Sequence, residues 1–166
     1  RFLIDIFNEV HKERKNSILL LAGQGPLVEE IHEKVNELGL NESVRFLGQR
    51  KDIDKLYQAM DLFLFPSLYE GLGMVAVEAQ VSGLPCVVST EIPEIAKVTE
   101  KITFVNLENK IETWTEIIFK YIKNINRKNI NFTDGIKKYD IIKEATKLEK
   151  KYLNLYKRNE VKNGQN

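Results

Sequence analysis

The sequence predicts an α/β fold: a Rossmann-like parallel sheet flanked by helices. Two observations predict it. Continuous apolar runs alternate along the chain with segments whose apolar residues recur at the helical period. The connections between them are short and punctuated by glycine and proline, as in repeated βα units. No internal repeat and no dividing linker interrupts this pattern over 166 residues, so one domain is expected.

The elements follow in order. Phe2, Leu3, Ile6, Phe7 and Val10 read as a helix already in progress at Arg1. A domain of this class normally opens with a strand. The expectation is therefore a domain over residues 1–160 that lacks its first strand, then a disordered tail at 161–166. Ser17–Ala22 is an unbroken apolar run, as in a parallel strand buried on both faces. Gly23-Gln24-Gly25 turns the chain, Pro26 suits a first helical position, and Glu29 and Glu30 suit a helix's positive end. That helix runs to about Leu38, with Gly39 as its stop. Val44–Leu47 is a short strand ended by Gly48. Asp52 is placed to cap a helix with apolar positions Ile53, Leu56, Tyr57 and Met60. Leu62–Phe65, closed by Pro66, is the next strand; a loop from Ser67 to Gly73 leads into a helix over Met74–Val81 that ends near Gly83. Pro85–Ser89 and Ile102–Val105 are further strands. Two helices finish the chain. One carries Ile111, Trp114, Ile117, Ile118, Tyr121 and Ile125; the other runs from about Gly135 to Lys157 with Ile141, Ile142, Ala145, Leu148, Tyr152 and Leu155. Ligands on such sheets bind at the C-terminal edges of the strands.

The composition, 43% hydrophobic and 30% charged, suits a domain with a real core. A net charge of +1 singles out no polyanionic partner, and no nucleic acid is expected. The single cysteine, Cys86, excludes a disulfide framework and a cysteine metal site, and fits a reducing compartment. No stretch reads as a signal peptide or is apolar for long enough to span a membrane. Charge is uneven: 13 of the 25 basic residues but 5 of the 24 acidic ones lie from Lys120 onward. A solvated helix face is the simple reading, and attraction to an anionic surface the sharper one.

The informative segment is Pro66-Ser67-Leu68-Tyr69-Glu70-Gly71-Leu72-Gly73-Met74-Val75-Ala76-Val77-Glu78-Ala79. Gly71 and Gly73 leave the backbone uncovered where a helix starts, so N–H groups and the positive dipole end face the loop. That suits a phosphate or diphosphate. Glu70, at the mouth of the loop, can accept hydrogen bonds from a polyol such as a sugar. Glu78 stands in an apolar helix and would need a partner if buried; two ribose hydroxyls would supply one. Two glutamates at this spacing on their own would read as a solvated helix face.

The whole segment resembles the signature of glycosyltransferase family 4, enzymes of GT-B fold also called glycosyl transferases group 1. The shared pattern is a Pro-Ser strand end, then Glu-Gly-aromatic-Gly, then Glu-Ala; here Leu72 stands where the family usually has an aromatic residue. Leu21–Pro26 is similar to the family's Gly-x-Gly-Pro loop, Val44–Gly48 to the strand that ends beside the base, and Gly83–Val88 to its Gly-x-Pro strand entry. Tyr152–Tyr156 resembles the closing helix, and enzymes of bacterial capsule and exopolysaccharide synthesis look most alike.

The resemblance implies the C-terminal, donor-binding domain of a retaining hexosyltransferase. Its donor would be a UDP- or GDP-sugar, and neither cofactor nor metal is expected. Glu70 would contact the donor sugar hydroxyls, and the backbone of Gly71, Leu72, Gly73 and Met74 would hold the sugar and diphosphate. Glu78 would bind the ribose, Arg50 would touch the base through its backbone, and Gly23 would border the pocket. The family's diphosphate-neutralising Arg and Lys are expected ahead of Arg1, and its acceptor site on an N-terminal domain outside this sequence. The acceptor would be a glycan or a lipid-linked sugar. The enzyme would be cytoplasmic, with room for weak peripheral association at the inner membrane face. Two rivals remain: a nucleotide-sugar epimerase of the same architecture, and a non-catalytic nucleotide-binding or assembly module.

Several features invite other chemistry. Asp52-Ile53-Asp54 matches a metal motif of a different glycosyltransferase fold, but helix capping accounts for both carboxylates. Gly23-Gln24-Gly25 lacks the third glycine of a dinucleotide fingerprint. His11 and His32 read as surface residues, and Trp114 and Tyr121 as core.

Overall fold

The computed structural model describes residues 1–123 and 134–163. Among the described residues, six α-helices and five strands follow the expected order, with no α-helix between the fourth and fifth strands. They are α1 (Phe2–Glu13), β1 (Leu19–Ala22), α2 (Val28–Glu37), β2 (Val44–Gly48), α3 (Ile53–Ala59) and β3 (Phe63–Phe65). Then come α4 (Met74–Val81), β4 (Cys86–Ser89), β5 (Ile102–Val105), α5 (Ile111–Lys123) and α6 (Ile141–Asn163). Ile125, expected on the helix of Trp114, lies outside the described residues. So do Gly164–Asn166 of the expected tail, whereas α6 is helical through Asn163.

Among the described residues every strand pairing is parallel, but the strands form two sheets instead of one. β1 pairs with β2, and β3–β4–β5 forms a second sheet. α1 joins the halves. Ile6 and Val10 pack with Val87, Val105, Trp114 and Ile118 beneath the larger sheet. Ile4 and Phe7, on the same helix, pack with Val35, Leu40 and Val44 of the smaller half. The opposite face of the larger sheet is covered by α3 and α4, through Tyr57, Ala76, Val77 and Ala79. β4 therefore has helices on both faces and is buried at every position, as an all-apolar parallel strand should be. β1, with the same apolar character, is only half-buried and ends exposed.

Helix ends follow local chemistry. α4 closes in a Schellman turn: Gly83 N–H donates to the Gln80 carbonyl and Leu84 N–H to that of Ala79. Gly83 supplies the left-handed φ of 85° that the turn requires. Gln80, fully buried, ties α4 to the chain between β4 and β5. Its amide nitrogen donates to the carbonyls of Ala76 and Ala96; its oxygen accepts from the N–H groups of Val98 and Thr99 and from the Thr99 hydroxyl.

Three helix starts differ from expectation. α2 begins at Val28, so Pro26 lies in the turn ahead of it, not in the first helical position. Asp52 does occupy the N-cap of α3, but its carboxylate makes no capping bond. Arg50 takes it instead, in a two-point contact at 2.9 and 2.8 Å. The last helix breaks at Asp140, which splits off a 3-10 turn over Asp134–Tyr139; its carboxylate accepts from Lys143 N–H. The apolar side chains along α6 stand largely open, with Ile141 and Ile142 each 77% exposed.

Trp114 is fully buried, and the Tyr121 hydroxyl bonds that of Thr103 at 2.9 Å. His11 is half-buried between the hydroxyls of Ser17 and Ser43; exposed His32 stacks on Phe46. Cys86 is buried, and burial pushes its thiol pKa up.

Candidate functional site

An open cleft of about 1470 Å³ runs between the two sheets. At the C-terminal edges of β1 and β3 its wall carries Gly23, Glu70, Leu72, Gly73, Met74 and Glu78. Six of the eight residues singled out from the sequence thus meet in one place. Gly71 and Arg50 are not among the lining residues. Arg50 is instead an exposed side chain whose guanidinium is engaged by Asp52. That pairing raises the pKa of Arg50 and lowers that of Asp52.

The loop after β3 is held from within. Ser89 of β4 donates to the Ser67 carbonyl at 2.6 Å. The Ser67 hydroxyl reaches the Tyr69 carbonyl at 3.1 Å and the Glu70 carboxylate at 3.2 Å. Glu70 is half-buried in consequence, while Leu68 and Tyr69 stay exposed. The turn into α4 is made by Gly73, with a left-handed φ of 69°. A Cβ there would lie 2.8 Å from Ile92 Cγ2, so both conformation and space demand glycine. A Cβ at Gly71 would meet nothing within 4 Å.

The Gly73 carbonyl accepts the first helical bonds of α4, from Ala76 and Val77. The N–H groups ahead of these have no acceptor inside the helix and lie at its positive end, beside the cleft. Along α4, Ala76, Val77, Ala79 and Gln80 face the core, leaving Met74, Val75, Glu78 and Val81 on the open side. Glu78 is therefore exposed on the cleft wall, not buried in the apolar run around it. The Tyr57 hydroxyl lies 3.2 Å from the Val75 carbonyl and 3.5 Å from the Glu78 carboxylate. Burial, followed by the charge of Glu78, pushes the Tyr57 pKa up, so it stands as a neutral donor.

Tyr57 and Ser67 are the two site residues that sequence reading did not single out. Tyr57 looked like an ordinary apolar helix position, and Ser67 only part of a strand end. Among the described residues, no three His, Cys, Asp or Glu side chains come together as metal ligands. No described helix is long and apolar enough to cross a membrane.

The arrangement offers two carboxylates and a helix N-terminus along one cleft: acceptors for hydroxyl groups around a place suited to an anion. Known proteins are similar to this chain. EpsF of Bacillus subtilis (strain 168) is 45% identical over 101 residues, which is 60% of this chain and 26% of that protein. The UDP-Gal:alpha-D-GlcNAc-diphosphoundecaprenol alpha-1,3-galactosyltransferase of Escherichia coli is 27% identical over 146 residues, 84% of this chain and 38% of the enzyme. The crystal structure of Anabaena Alr3699/HepE with UDP and glucose is 27% identical, with a TM-score of 0.60 over 75% of this chain and 35% of that one. The chain thus spans roughly a quarter to two fifths of these proteins' lengths. The family model for glycosyl transferases group 1 matches residues 1–124. The chain belongs to that family, whose fold is GT-B.

Proposed function

We propose that the cleft is the donor site of a retaining hexosyltransferase of bacterial polysaccharide synthesis. The carrying observation is the placing of Glu70 and Glu78 on either side of the α4 N-terminus along one cleft wall. Glu70 accepts from the hydroxyls of the sugar and is steadied by Ser67. The backbone of Gly71, Leu72, Gly73 and Met74 holds the sugar and diphosphate, where the helix dipole favours negative charge. Glu78 accepts from the ribose hydroxyls, with Tyr57 beside it, and Gly23 borders the pocket. The donor is a UDP- or GDP-sugar and no metal takes part. The names of the similar proteins, with UDP-Gal in one and UDP and glucose in another, favour a uridine donor. The acceptor, a glycan or a lipid-linked sugar, meets the donor across a second domain of the enzyme. The work is cytoplasmic, at the inner membrane face.

Calorimetric titration of the chain with UDP, GDP, UDP-glucose and GDP-mannose, beside Glu78→Gln, tests this. Hydrogen bonds to a charged group contribute about 1.5–3 kcal/mol each. The substitution should therefore weaken binding of the preferred nucleotide by roughly tenfold or more. The melting temperature should stay put, because Glu78 is exposed. Unchanged affinity in the variant would remove Glu78 from the site. Rapid turnover of the donor onto an acceptor by residues 1–166 alone would contradict the two-domain mechanism.

A further inference from the structure

The two carboxylates of the cleft are each met by one hydroxyl, and the two hydroxyls are held in different ways. Ser67, which reaches Glu70, is fastened within its own loop and by Ser89. Tyr57, which reaches Glu78, is fastened by the core. It is 4% exposed and packs in one cluster with Ala76, Val77 and Ala79 of α4. Its ring stands edge-on to Phe63 of β3, with centroids 5.8 Å apart. A ring so enclosed has little freedom in where it puts its hydroxyl. That place is the cleft wall, which Tyr57 lines together with Val75 and Glu78.

Val75 and Glu78 stand three residues apart on α4 and so share one face of the helix. The Tyr57 hydroxyl reaches both, at 3.2 Å from the Val75 carbonyl and 3.5 Å from Glu78 Oε2. Its single proton thus serves two acceptors on the helix whose N-terminus opens on the cleft. Glu78 is otherwise exposed. A glutamate free in solvent loses rotamer freedom when a ligand fixes it, and a carboxylate ordered beforehand spares binding that loss. One hydroxyl contact uses one of a carboxylate's several lone-pair directions and leaves the rest for a ligand. Burial and the nearby negative charge keep the phenol protonated, so it remains a donor. We infer that Tyr57 is a positioning residue: its hydroxyl holds the Glu78 carboxylate in one rotamer on the cleft wall before a ligand arrives. The consequence for affinity rests on the donor reading above; the hold itself does not. The rival account gives Tyr57 core packing alone, with its hydroxyl serving only the Val75 carbonyl.

Three-bond side-chain couplings of Glu78, measured by NMR without nucleotide, test the hold. The parent chain should show one dominant χ1 rotamer; Tyr57→Phe, which keeps the ring, should show an average over rotamers. Couplings alike in the two, whether fixed or averaged, overturn the inference. If Tyr57→Phe does not fold, the contact is read from its other end. The Tyr57 ζ-carbon resonance should then move in Glu78→Ala, a change at an exposed site; an unmoved resonance overturns the inference. Calorimetric titration with UDP and GDP measures what the hold contributes. Tyr57→Phe should weaken binding of the preferred nucleotide about threefold to tenfold, as the loss of one hydrogen bond does. In the Glu78→Ala background the same change should matter less than about twofold. Equal weakening in both backgrounds assigns Tyr57 to core packing and overturns the inference. The two readings fail separately. If Glu78→Ala leaves affinity unchanged, the donor role of Glu78 is lost while the couplings still decide the hold. If Glu78→Ala weakens binding and Tyr57→Phe does not, the inference is overturned and the donor site stands.

Discussion

One strand from each half-sheet, β1 and β4, comes from an apolar run, and the two end in different states. β4, between β3 and β5 and under helices on both faces, is buried at every residue. β1 has one ladder partner, and its other edge opens onto the cleft. Hydrophobicity therefore does not decide burial here; the number of neighbours does. The larger half is also tied across its loops by Gln80, while the smaller half is held chiefly through α1. The difference divides the labour. The larger half is the more deeply buried support, and the loops of the candidate site sit where it faces the open half.

The sharpest way to break this picture is Gln80→Leu. The side chain satisfies buried groups of Ala76, Ala96, Val98 and Thr99. Each left unpaired costs about 1–3 kcal/mol, so the variant should lose about 4 kcal/mol or more in urea unfolding. A loss under about 1 kcal/mol would show that the larger half does not depend on this tie. The halves can then be compared by one substitution type. Leu84→Ala, in the fully buried core beside β4, should cost about 3 kcal/mol, and Leu20→Ala, half-buried at the cleft, about 1 kcal/mol. Equal losses would mean that β1 is as firmly packed as the larger half.

Much of this was legible in the sequence, for reasons the same comparison explains. Apolar runs and glycine punctuation located all five strands, because each run has enough local signal to declare itself. They could not give the division into two sheets, since an apolar strand carries no record of which edges find partners. The motif brought Glu70, Leu72, Gly73, Met74 and Glu78 to one wall because they are close in sequence and the turn at Gly73 is local. The exposure of Glu78 was hidden, because α4 is apolar nearly all round and its open face is chosen by packing. Asp52 failed as a cap through competition: a guanidinium two residues away offers a stronger bond than a backbone N–H. Tyr57 reaches Glu78 only through the packing of α3 on α4, which periodicity cannot register.

The loop from β3 into α4 yields the finest contrast, because it holds two glycines two residues apart. Gly73 has a left-handed φ and Ile92 in the path of any Cβ. Gly73→Ala should lose about 2–4 kcal/mol, from a strained backbone and from crowding against the core. Gly71 has open space around it and no left-handed φ. Gly71→Ala should therefore stay within about 0.5 kcal/mol of the parent protein. Its methyl group would stand beside the loop proposed to hold the sugar and diphosphate. Nucleotide-sugar affinity should fall there while the melting temperature holds. If both variants unfold alike, Gly71 serves the fold as Gly73 does; if Gly71→Ala leaves stability and affinity untouched, the ligand does not approach the backbone at that residue.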